Sequence, residues 1–92
     1  MKKKAFLINI RGRVTGVGFR WATLDKSEDF STISGYVRNL ARGEVEVFIQ
    51  GEEGEVDAMA DWLKSGPPLA VVENFNKISC PLNEDYKSFS II

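Results

Sequence analysis

The sequence predicts an α+β fold, an antiparallel sheet with two helices on one face. Two patterns predict it. Short segments alternate apolar and polar residues with a period of two, and one longer segment repeats apolar residues at i, i+3, i+4 and i+7. At 92 residues the chain is long enough for one hydrophobic core and too short for two, so residues 1–92 are expected to form a single domain.

The elements follow in order. Phe6, Ile8 and Ile10 alternate with Leu7, Asn9 and Arg11, which marks a strand with one buried face. A glycine-rich stretch ends it. From Arg20 to about Phe30 there is neither glycine nor proline, and Trp21 and Leu24 fit one helix face, so a first helix is expected there with Trp21 packed inward. Gly35 to Leu40 is a second strand, with Val37 and Asn39 on one side and Tyr36, Arg38 and Leu40 on the other. Ala41-Arg42-Gly43 makes a short hairpin turn. Val45, Val47 and Ile49 then alternate with Glu44, Glu46 and Gln50 in a third strand that ends at Gly51. Val56, Met59, Ala60 and Leu63 define a second helix from Glu52 to Ser65, with acidic residues in its first turn where the helix dipole favours them. Gly66-Pro67-Pro68 stops it. Val71 to Ser79 is a further strand, and Phe89 with Ile91 a short final one. The natural closure of this string is the ferredoxin-like βαββαβ sandwich.

Composition narrows the function. Twelve basic residues against thirteen acidic ones leave a net charge of -1, without the basic surplus that binds phosphate backbones, so no nucleic-acid partner is expected. Cys80 is the sole cysteine, which rules out an internal disulfide and suits a reducing, cytoplasmic setting. With no histidine, the usual zinc sites are excluded. Lys2 to Lys4 followed by Ala5 to Ile8 imitates a secretory signal, but Asn9 and Arg11 cut the apolar run too short. No stretch is long enough to span a membrane.

The stretch Gly12-Arg13-Val14-Thr15-Gly16-Val17-Gly18-Phe19-Arg20 carries the chemistry. Its glycines let successive amides turn inward as an anion-binding nest, and the helix that follows adds free N–H groups and the positive end of its dipole. A Walker loop would need Gly-Lys followed by Ser or Thr, and a dinucleotide fingerprint would need a small residue at Trp21. The loop therefore suits one phosphoryl group. Arg20, at the helix start, can grip two of its oxygens with a planar fork.

These residues, with Gly35-Tyr36-Val37-Arg38-Asn39, Gly51 and Gly66-Pro67-Pro68-x-Ala70, resemble the acylphosphatases over nearly the whole chain. The resemblance implies hydrolysis of the carboxyl-phosphate bond of small acyl phosphates to a carboxylate and inorganic phosphate, by a monomer with no cofactor or metal. It places the phosphate-binding arginine on Arg20, the water-orienting asparagine on Asn39, and the phosphate cradle on the amides of Val14, Thr15, Gly16, Val17, Gly18 and Phe19. Strand parity agrees, because Asn39 shares the face of Val37 near the strand end and can reach the loop beside Arg20. One segment departs from the family. Relatives generally read Leu-Gly-Leu-x-Gly where this chain has Phe30-Ser31-Thr32-Ile33-Ser34, so Ser31 or Thr32 must end the first helix without a left-handed glycine cap. Two rival readings share the topology. An RNA-recognition domain would stack bases on middle-strand aromatics, for which Tyr36 and Phe48 are available but no RNP-like run is. A regulatory domain would bind an anion at the loop without turnover.

Overall fold

The computed structural model describes residues 2–92. Strand β1 (Lys3–Arg13) leads into helix α1 (Phe19–Ser27), the hairpin β2 (Ser34–Ala41) and β3 (Glu44–Glu52), helix α2 (Glu53–Leu63), and strands β4 (Val71–Cys80) and β5 (Phe89–Ile91). The sheet order is β4-β1-β3-β2-β5. β1 pairs antiparallel with both β3 and β4, and β2 pairs antiparallel with β3, as the alternating patterns predict. β5 instead lies parallel to β2, so the sheet is mixed rather than wholly antiparallel. The cause is the long return from β4. A tight hairpin would force antiparallel pairing, whereas a crossover of this length leaves the direction free. The pairing is fastened at both ends, by the Gly35 amide donating to the Ser88 carbonyl at 3.0 Å and the Ile92 amide donating to Val37 at 3.1 Å.

The alternation seen in the sequence decides which face the helices cover. Ile8 and Ile10 from β1, Val37 from β2, and Val45, Val47 and Ile49 from β3 join Val56, Met59, Ala60 and Leu63 from α2 and Phe19 from α1 in one buried cluster. Burying each of these side chains larger than Ala60 contributes roughly 1.5–3 kcal/mol, so this layer fixes the sheet register, since a one-residue slip would turn the strand residues to solvent. Phe19 meets Trp62 with ring centroids 6.4 Å apart, which joins the two helices. On the other face Tyr36, Phe48 and Tyr86 cluster at centroid separations of 5.5 to 5.9 Å. Gln50 ties the crossover down there: its Oε1 accepts from the Asn83 amide at 2.8 Å, and its Nε2 donates to the Asn83 carbonyl and to Ser34 Oγ. Beside it, burial and a hydrogen bond to Glu46 push the Tyr36 hydroxyl to about 12, which keeps it a donor to that carboxylate throughout the neutral range.

Helix α1 differs from its expected form in two respects. Its buried row is Phe19, Thr23 and Ser27, and Trp21 is turned outward at 67% exposure. Thr23 is tolerated inside because its hydroxyl donates to the Phe19 carbonyl at 2.8 Å, and Ser27 likewise donates to Leu24. The helix also stops at Ser27 rather than near Phe30. Successive amides at Glu28, Asp29 and Phe30 fold back onto carbonyls three residues earlier, so the chain unwinds through tight turns with no left-handed residue. Ser31 and Thr32, expected to end the helix by themselves, are held instead from across the domain. The Glu55 carboxylate on α2 accepts from the amides and hydroxyls of both, while Thr32 Oγ1 accepts from the Glu52 amide at 2.9 Å.

These donors hold the Glu55 carboxyl below its ordinary value, the Thr32 hydroxyl contributing most. A lowered folded-state pKa stabilises the fold above the unfolded value of about 4.3, and that contribution is lost as pH falls through the folded value. Urea unfolding of wild type and Glu55→Gln at neutral pH and at stepwise lower pH checks this. Wild type is the more stable at neutrality, and the gap narrows on acidification below about pH 4.3.

Candidate active site

The end of β1 sets the position of the loop that follows. A register shift against β4 falls between Arg11 and Gly12. Just beyond it two hydrogen bonds tie the chain to the turn between β2 and β3: the Gly12 amide donates to the Gly43 carbonyl at 3.1 Å, and the Gly43 amide donates to Thr15 Oγ1 at 3.2 Å. Val14, between these ties, is buried in the core. Gly16 and Gly18 both have φ of 73°, in the left-handed region that glycine enters without cost, and no residue other than glycine does so anywhere among the described residues. Left-handed residues spaced along a turn make consecutive amides converge on one concavity.

Helix α1 starts from this loop with its donors open. Its N-cap is Gly18, which has no side chain to cap with, and its first turn contains no acidic residue. α2 makes the opposite choice, with the Glu52 carboxylate accepting from the Glu55 amide at 3.1 Å and Glu53 and Glu55 in the first turn. Among the described residues no backbone or side-chain acceptor pairs with the amides from Thr15 to Trp21. Unpaired amides at the positive end of a helix dipole favour an anion, and nothing in α1 competes for them.

Val14, Thr15, Gly16, Gly18, Phe19, Arg20, Trp21 and Asn39 line a single cavity of about 130 Å³. The structure thus brings Arg20 and Asn39 to one place with nearly all of the expected cradle. Val17 is the exception, since its side chain packs partly against the core and it does not line the cavity. Asn39 arrives from β2, paired with Val45 at the last regular position before a second register shift, where the strand end is exposed. Arg11 and Arg38 are engaged by Glu44 and Glu46, whereas Arg20 is engaged by no carboxylate among the described residues. Its positive charge is therefore not neutralised from within.

Two features of the site were not foreseen from the sequence. The Thr15 hydroxyl links the loop to the turn that follows Asn39. Trp21 lines the cavity instead of the core. A signal for the second existed, because a residue two places after Phe19 lies about 200° around the helix and cannot share its face.

Comparison with known proteins places the chain in a family. The family model for Acylphosphatase matches residues 6–91. The chain is 39% identical over 83 residues to an acylphosphatase of Acaryochloris marina, spanning 90% of this chain and 87% of that protein. It is 37% identical over 91 residues to an acylphosphatase of Actinobacillus pleuropneumoniae, spanning 99% and 98% of the two. The solved structure of an acylphosphatase from Coxiella burnetii matches at a TM-score of 0.89 with 33% identity, covering 98% of this chain and 93% of that one. The chain belongs to the acylphosphatase family.

Proposed function

We propose that this acylphosphatase hydrolyses small acyl phosphates in the cavity between the 14–20 loop and the end of β2. The phosphoryl group sits against the open loop amides, the Arg20 guanidinium clamps two of its oxygens, and the Asn39 side chain holds the attacking water in line. The observation that carries the reading is the meeting of Arg20, the glycine loop and Asn39, from two separate parts of the chain, at one small cavity.

The chemistry needs no more than this. Water oxygen bonds to phosphorus as the phosphorus–oxygen bond to the acyl group breaks, and the electron pair leaves with the carboxylate. The conjugate acid of that leaving group has a pKa of about 4, so it departs without a general acid. A loose transition state gains little from a strong base, and the water's proton passes to solvent. This suits a chain without histidine. What the protein supplies is position and charge stabilisation, from donors fixed before substrate arrives. Arg20 supplies a fork matched to two phosphoryl oxygens, which an ammonium group cannot reproduce.

The same reading takes the protein as a cytoplasmic monomer that needs no cofactor and has inorganic phosphate as its product. A free cysteine at Cys80 and the near-neutral net charge are consistent with it.

Two variants test the roles in a metal-free assay on benzoyl phosphate. Arg20→Lys lowers kcat/KM by at least about 10²-fold, as loss of a preorganised phosphoryl clamp does. Asn39→Ala lowers kcat by about 10²-fold while the inhibition constant of inorganic phosphate stays within about threefold, because it removes the holder of the water and not of the phosphate. Wild-type turnover in either variant contradicts its assigned role, and phosphate binding by the wild type without hydrolysis contradicts the whole reading.

A further inference from the structure

The cavity encloses only one end of an acyl phosphate. At about 130 Å³ it is well below the ~300–1,000 Å³ of sites that surround a whole drug-sized ligand. A phosphoryl group held there leaves the acyl group at the mouth. What it meets at the mouth decides which acyl phosphates are preferred.

Most of the lining offers the acyl group little. Gly16 and Gly18 present backbone only, Val14 and Phe19 keep only about 1% of their surface exposed, the Thr15 hydroxyl is tied to the Gly43 amide, and Arg20 and Asn39 are assigned to the phosphoryl group and water by the reading above. Trp21 remains. It follows Arg20 in the first turn of α1, lines the same cavity, and keeps 67% of its surface exposed. Its position about 200° around the helix from Phe19 turns the indole away from the core, and no hydrogen bond engages its ring N–H among the described residues. A large apolar ring is thus left beside a charged socket, in the one place where a substrate could cover it.

We infer that Trp21 is the residue that selects the acyl group, favouring acyl phosphates whose acyl part is flat and apolar, such as an aromatic ring, over those with a small one. An aromatic acyl group can lie offset-stacked or edge-on against the indole and remove apolar surface of both from water, whereas an acetyl group is too small to do so. The inference rests on the phosphoryl socket proposed above, because that socket fixes where the acyl group emerges.

The test is the ratio of kcat/KM for benzoyl phosphate to that for acetyl phosphate, measured in wild type, Trp21→Ala, Trp21→Phe and Arg20→Lys. Taking both substrates on one preparation cancels differences in folded fraction. The ratio falls about tenfold in Trp21→Ala and stays within about twofold of wild type in Trp21→Phe, which keeps a π face. An unchanged ratio in Trp21→Ala, or a ratio in Trp21→Phe as low as in the alanine variant, overturns the inference and leaves the socket standing. Full turnover of both substrates by Arg20→Lys overturns the socket, and the inference falls with it.

Discussion

The structure depends on a run of main-chain donors that the fold holds open. From Thr15 to Trp21 the amides find no partner within the described protein, although unpaired backbone groups are costly wherever water cannot reach them. Two tethers to Gly43 fix one end of the run, and the first turn of α1 fixes the other. The rest of the domain serves as a frame for this arrangement. β1 and β3 give the rigid central pair, α2 closes the core, and the β2–β3 turn brings Asn39 to the loop by the same contacts that hold the loop in place.

The two helix starts differ in a way that fits the proposed site. α2 satisfies its own first turn with carboxylates, whose negative charge also suits the dipole. α1 has glycine at the cap, no acid in the first turn and a free arginine. An acidic residue in that first turn would satisfy the helix and repel the substrate. Leaving the terminus uncapped gives up some helix stability and keeps its donors free for the phosphate socket proposed above, and the short, partly polar buried row of α1 is accompanied by Phe19 packing on Trp62.

Much of this was legible in the sequence, for identifiable reasons. β1, β3 and α2 show their periods because each puts a continuous apolar row into one core. The loop and Arg20 are legible because glycine spacing and an arginine at a helix start have few other uses together, and Asn39 because strand parity and family resemblance agree on it. The orientation of α1 was hidden because Thr23 and Ser27 occupy its buried row, so the apolar pattern pointed to Trp21 instead. The parallel pairing of β5 was hidden because a three-residue strand joined by a long crossover carries no directional signal. The burial of Gln50 was hidden because it alternates with the apolar row and nothing local shows that the Asn83 segment covers it. The end of α1 was misplaced because the helix unwinds through local turns after Ser27, while Ser31 and Thr32 are held by Glu55, far along the chain.

The most direct test of the central claim follows backbone amides during a titration with inorganic phosphate, by nitrogen–proton correlation NMR. If the loop is the phosphate socket, the amides from Thr15 to Arg20 shift together with a single dissociation constant, and the Arg20 side-chain Nε–H shifts with them. Shifts concentrated on surface lysines, or a loop that stays silent at saturating phosphate, would contradict the account.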